Sequence, residues 1–231
     1  MGVKLPDTKE KYLREVTNFY WENGYNPEIT QMERLAHFAD LVVKKNEDLN
    51  LISRKDTEFI IENHVFVSAF ITKYIPERCT KFLDIGTGGG FPGIPIAVMR
   101  PDLNGVLVDS IGKKIEAVKD FVDKLMLNNA HIENMRVEAP EFIDKYKNSF
   151  DLFVTRGTEP LIVLLRYILP LMKDKAYLMA IKGGDLSEEF QKVELKYKSN
   201  IKKSTVYELH YKPSNIRNVK GKKLVLLELI K

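Results

Sequence analysis

Apolar residues in the first 75 positions recur at helical spacing. Residues 7–24 form one such pattern, with Tyr20 and Trp21 near its end and Gly24 as a stop. A second, capped by Thr30, sets Met32, Leu35, Ala36, Ala39, Val42 and Val43 on one face. Asp56–Tyr74 predicts a third helix. After residue 80 the pattern changes. Short apolar runs predict strands near 81–86, 104–109, 131–135, 150–155 and 175–182, and helices alternate with them near 93–99, 113–127, 160–169 and 186–196. In Lys113–Leu127, for example, Ile115, Val118, Val122 and Leu125 share one face. Two further strands, near 203–211 and 222–230, follow without a helix between them. Strand–helix alternation builds a parallel sheet covered on both faces. The reading is therefore an α/β, doubly wound, Rossmann-like domain over 76–231, closed by a terminal hairpin. An N-terminal helical extension, 1–75, packs on it as part of one structural unit.

The most informative boundary lies at FLDIGTGGGFPG, residues 82–93. The apolar run Phe82, Leu83, Ile85 stops at Gly86 and enters a burst of glycines. Glycine tolerates positive φ and has no Cβ to keep a ligand from the backbone. Pro92 suits a first helical turn, and unpaired N–H groups at a helix start favour a negatively polarised ligand group. The next strand ends in Asp109, where an acid commonly holds a ribose hydroxyl pair. Strand, glycine loop, helix, strand, acid, helix points to a nucleotide-like ligand.

Two glycine patterns overlap. Gly86, Gly88 and Gly90 form G-x-G-x-G at the strand end. Gly88, Gly90 and Gly93 also satisfy the dinucleotide spacing, but that pattern would start two residues late. Pro92 biases Phe91 away from helical angles, which extends the loop over 86–91. This favours S-adenosylmethionine over a pyrophosphate, and a nicotinamide-dependent oxidoreductase stays as the alternative. In this reading Gly86, Gly88 and Gly90 form a backbone cradle that Phe91 closes. Asp84 orders the loop or meets the donor's amino group, and Asp109 accepts from the ribose.

The string GTGGGFPGIPIAVMRPDL, followed by LVDSIGKK, resembles the RsmG (GidB) family of bacterial 16S ribosomal RNA methyltransferases, which methylate a guanosine at N7. Collinear matches follow at Arg136-Val137-Glu138, FDLFVTRG (150–157), ILPLMK (168–173) and Ile181-Lys182-Gly183. Upstream, Asn50-Leu51-Ile52-Ser53 and His64 fit the family's N-terminal signature. The chain departs from it at Val67, where an aspartate usually precedes the serine, and at Gly157-Thr158, where alanine and an apolar residue usually follow the arginine. The resemblance implies a class I S-adenosylmethionine-dependent methyltransferase. It also implies cofactor contacts at Gly86, Phe91, Val137, Glu138 and Arg156, with Arg156 a candidate for positioning the substrate and His64 a substrate-side residue. Lys182 ends the fifth strand as a further RNA candidate.

Charge adds a second clue. The chain carries +4 overall, but residues 192–223 hold ten Lys or Arg against Glu194 and Glu208, so that segment is +8 and the remainder −4. A concentration of this kind marks a candidate phosphate-binding face, with Lys202, Lys203, Lys222 and Lys223 in its strands. Beside a methyl-donor site, ribosomal RNA is the expected partner, free or within a small-subunit particle. A methyltransferase of another RNA or of a small molecule, or a non-catalytic RNA-binding protein, would also keep the cofactor corner.

Other chemistries lose ground. Cys79 is the lone cysteine and lies before the first strand, which argues against a cysteine nucleophile. No Asn-Pro-Pro-Tyr follows the fourth strand, and no Cys/His spacing suits zinc, so no metal is expected. The longest apolar stretch, Leu161–Met172, is broken by Arg166 and Pro170, too short to span a membrane. The first residues lack the apolar core of a signal peptide. A monomer in the reducing cytoplasm is expected.

Overall fold

Seven strands form one sheet in the order β3-β2-β1-β4-β5-β7-β6. They are β1 (Lys81–Ile85), β2 (Asn104–Asp109), β3 (Ala130–Asn134), β4 (Phe150–Arg156), β5 (Met172–Gly183), β6 (Ile201–Glu208) and β7 (Lys222–Ile230). The computed structural model describes residues 8–212 and 221–231. The first five strands run parallel, and β7 returns antiparallel between β5 and β6. The inner strands are buried on both faces, which is why they read as near-continuous apolar runs.

Strand alternation sends side chains to two cores. Phe82, Leu107, Leu152, Val154 and Leu224 face the core shared with α1 (Thr8–Glu22), α2 (Ile29–Lys45), α4 (Gly93–Met99) and α5 (Gly112–Lys124). Leu83, Val106, Phe153, Leu178 and Val225 face the other, under α6 (Pro140–Tyr146), α7 (Leu161–Leu171) and α8 (Ser187–Tyr197). The N-terminal helices thus lie on a face of the sheet, and their Leu35, Phe38 and Phe66 are fully enclosed.

The third predicted helix is not uniform. Residues 54–74 run as a 3-10 turn (Arg54–Phe59), a π turn (Ile61–Phe66), the short α3 (Val67–Phe70) and a final 3-10 turn (Ile71–Tyr74). Almost every side chain from Ile60 to Ile71 is buried, Glu62, His64 and Ser68 included. No single 3.6-residue stripe satisfies contacts on all sides, and the wider π turn changes the phase at His64, as such turns often do at functional sites. Helix α6 escaped the sequence reading because only Phe142 and Tyr146 of it are buried, too few for a periodic signal, and no glycine loop announces it as one does α4. Among the described residues no helix is long and apolar enough to cross a membrane.

Candidate cofactor and substrate site

The strand order reverses between β1 and β4, and the crevice outside their carboxyl ends is where open α/β sheets take ligands. Two cavities open there and share Gly86. One, of about 230 Å³, is bordered by Asp109, Met135, Val137, Glu138, Thr158 and Tyr167. The other, of about 160 Å³, is bordered by Leu51, Ile52, His64, Phe91, Arg156 and the glycines.

The glycine loop is built as its sequence demands. Gly86, Gly88 and Gly90 have φ of +69°, +56° and +93°. A Cβ on Gly88 would meet nothing closer than the Gly86 carbonyl at 4.0 Å, so this glycine keeps open space rather than relieving a clash. The loop's N–H groups are largely engaged. Those of Gly86 and Thr87 donate to Val108 O, Gly88 to Asp109 Oδ2 at 2.9 Å, and Gly90 and Phe91 to Thr87 O. The cradle therefore offers room more than donors.

Asp84 accounts for a correction. Helix α4 begins at Gly93, after Pro92, and the Gly93 N–H donates to Asp84 Oδ2 at 2.9 Å. The N–H assigned by sequence to a ligand is thus already paired within the protein. A Cβ at Gly93 would sit 2.6 Å from that oxygen, so the bond requires glycine. Asp84 is fully buried, and burial pushes its carboxyl up to about 7, with the Thr87 hydroxyl and the Gly93 N–H opposing. Of the two roles open to Asp84, its contacts serve the ordering of the loop.

Asp109 ends β2 at the rim of the first cavity. Its Oδ1 accepts from the Ile111 N–H and its Oδ2 from Gly88, so it ties the glycine loop to the second strand. Each carboxylate oxygen retains a further lone pair. Val137 is buried, and the half-exposed Glu138 lies 3.6 Å from Arg136. Thr158, one of the family departures, packs its methyl against Gly86, where a Cβ would come within 2.7 Å.

The second cavity has an apolar wall held by a residue the sequence reading missed. Buried Asn46 accepts at Oδ1 from the N–H groups of Leu51 and Ile52, at 2.8 and 2.9 Å, and folds that turn over the glycines. Its only sequence signal is an amide shortly before the Asn50–Ser53 signature. Phe91 is enclosed between Phe38 and His64, with ring centroids 4.9 and 5.2 Å away. Arg156 reaches over Phe91 at 5.9 Å, and its buried Nη1 has no hydrogen-bond partner among the described residues. Burial lowers this guanidinium to about 10. His64 is held neutral, pushed down to about 2 by burial and by Arg156 and Lys222.

The predicted basic face is divided. Lys222 lies on the same sheet face as Arg156 and reaches Asn63 O at 3.3 Å and Tyr211 Oη at 3.4 Å. Burial and Arg156 push it down to about 8. Lys223 points to the other face and donates to Gly184 O at 2.9 Å. Lys182, also on that face, donates to Glu159 O and pairs with Glu189 at 3.0 Å. Lys203 pairs in register with Glu228, and Lys202 approaches the same acid at 3.9 Å. That is six residues along β7 from Lys222, roughly 20 Å from the ligand edge. Arg217 and Lys220 lie outside the described residues. Among the described residues no group of three His, Cys, Asp or Glu is placed to hold a metal ion.

Solved structures share this architecture at low identity. An S-adenosylmethionine-dependent methyltransferase from Aquifex aeolicus superposes with a TM-score of 0.55 at 18% identity, over 81% of this chain and 97% of that one. TYW2 of M. jannaschii, solved with AdoMet, gives a TM-score of 0.57 at 11% identity, over 74% and 77%. Sequence relatives are nearer. A ribosomal RNA small subunit methyltransferase G from Chlorobium luteolum is 39% identical over 69% of this chain and 65% of its own length. That of Bacteroides thetaiotaomicron is 38% identical over 71% of this chain and 82% of its own. A family model described as GidB, rRNA small subunit methyltransferase G, matches residues 31–219. By its sheet order, its glycine corner and this match, the chain belongs to the GidB family of small-subunit ribosomal RNA methyltransferases.

Proposed function

We propose that the protein transfers the methyl group of S-adenosylmethionine to N7 of a guanosine in small-subunit ribosomal RNA, acting as a monomer in the bacterial cytoplasm. The observation that carries this reading is the pair of cavities joined at Gly86, one bordered by Asp109, the other by an arginine whose buried Nη1 has no acceptor among the described residues. The residues fit the cofactor. Asp109 can receive ribose hydroxyls, Val137 and Glu138 border the adenine, and the open face of Gly88 leaves room for the methionyl arm. When bound, the cofactor supplies an activated methyl group on a cationic sulfur. Guanine N7 carries a lone pair and no proton, so no side chain need act as a base. The chain's residues act by position: Arg156 holds an acceptor beside the glycine loop, and Leu51, Ile52 and Phe91 limit water around the reacting atoms.

Radiolabelled methyl transfer tests the proposal, with small-subunit RNA and intact small subunits from cells lacking this protein as substrates. Label in N7-methylguanosine is expected. Calorimetric binding of NADH in place of S-adenosylmethionine would instead establish the oxidoreductase reading.

A further inference from the structure

Asp56, which neither the sequence reading nor the family signature singled out as a site residue, lies against His64, part of the wall of the second cavity. Its Oδ1 accepts from Asn63 Nδ2 at 3.0 Å. Its Oδ2 faces His64 Nε2 at 3.5 Å, and about a third of the side chain is exposed. The imidazole borders the cavity and is neutral, so it does not cancel the carboxylate's charge. Arg156 borders the same cavity as His64. The two opposite charges sense each other, yet no nitrogen of Arg156 comes within 4.0 Å of a carboxylate oxygen among the described residues. Direct pairing is the usual fate of such groups when they are partly buried. Here a donor in the cavity wall and an acceptor lying against that wall stay unpaired with each other beside the methyl-transfer corner.

We infer that the second cavity receives the Watson–Crick edge of the target base between Arg156 and Asp56, and that Asp56 is the residue that reads it as guanine. The inference rests on the methyl-transfer reading above. Guanine presents an acceptor, O6, next to donors at N1 and N2. Adenine presents the reverse, an amino donor next to the N1 lone pair. With Arg156 donating to O6 and Asp56 accepting from N1–H and the 2-amino group, guanine completes both hydrogen-bond sets and N7 is left free. Adenine would set its N1 lone pair against the carboxylate, an unfavourable contact that excludes the wrong base. Leu51 and Phe91 supply apolar walls for the ring. The same contact favours the reaction. Methylation places positive charge on the purine, and a carboxylate on N1–H interacts more strongly with that charge as it develops.

The test uses the intact protein and the variants Asp56→Asn, close in shape, and Asp56→Glu, which keeps the charge. Asp56→Asn is expected to lower methyl transfer to small-subunit RNA on the order of ten- to a hundredfold, as for loss of a hydrogen bond to a charged group. S-adenosylhomocysteine affinity and melting temperature should stay at wild-type values. In parallel, saturation-transfer NMR on the S-adenosylhomocysteine-loaded protein ranks GMP, IMP and AMP. Wild type and Asp56→Glu should prefer GMP over IMP, which lacks the 2-amino group, and IMP over AMP. Asp56→Asn should lose the preference for GMP. Wild-type transfer by Asp56→Asn, or an unchanged nucleotide ranking, overturns the role of Asp56. If wild type itself transfers no methyl group, the methyl-transfer reading fails, and the nucleotide ranking still decides whether Asp56 reads guanine.

Discussion

Single residues at this site work through what they leave open or keep uncharged. Gly88 combines a left-handed φ with empty space where a side chain would stand. Gly88→Val should therefore cost about 1–2 kcal/mol of backbone strain and place its methyls where the cofactor lies. S-adenosylmethionine affinity should fall at least about tenfold with the fold retained, as read by calorimetry and circular dichroism. His64 works by staying neutral. Its folded-state pKa of about 2 lies far below the ordinary 6.5, so on acidification the unfolded chain takes up a proton that the folded one refuses. Stability is lost as pH falls below about 6.5, at up to roughly 1.4 kcal/mol per pH unit. Between pH 7 and pH 5 the wild type should lose about 2 kcal/mol more than His64→Gln. Urea midpoints at both pH values measure that difference, and equal losses would place His64 in a more hydrated setting.

At the scale of elements, the terminal hairpin separates charges that are close in sequence. β7 runs antiparallel to β5, which brings Lys222 and Lys223 to the ligand edge, whereas β6 carries Lys202 and Lys203 to the opposite end. Phosphate contacts release counterions and set the salt dependence of RNA binding. Replacing Lys222 and Lys223 with Gln should weaken RNA binding and flatten the log–log salt slope by roughly 1–2. The same change at Lys202 and Lys203 should leave both nearly unaltered. A salt series of RNA affinity for the two double variants checks this. A loss carried by the far pair would mean that RNA wraps the β6 edge.

For the whole molecule, the helical extension and the sheet act as one packing unit. Phe38 of α2 is fully buried and touches Phe91 of the glycine corner and Phe121 of α5. Phe38→Ala should destabilise the protein by about 3–5 kcal/mol, a fall in melting temperature of roughly 10 °C for a chain of this size. Because Phe91 rests on Phe38, cofactor affinity should fall as well. Thermal melting with and without S-adenosylmethionine reads both effects. A variant that melts earlier but binds normally would show that Phe91 is held by His64 alone.

The sequence by itself determined the strand–helix alternation, the five parallel strands with their hairpin, and the glycine corner with Asp109. Each of these is written in local terms: apolar period, positive-φ glycines, an acid at a strand end. Tertiary structure decided the rest. It gave the Gly93 N–H to Asp84 across the loop, because a buried carboxylate and a helix start satisfy each other. It placed Lys182 and Arg156 on opposite faces of the sheet, because strand parity, not proximity in sequence, sets direction. It also broke the predicted third helix into 3-10, π and α turns, since its middle part, Ile60 to Ile71, is buried almost throughout and follows its neighbours rather than a single period. Asp56 was invisible for a different reason. A lone acid in a polar turn acquires meaning only when folding brings it against His64 and within the electrostatic reach of Arg156, a hundred residues away in the chain.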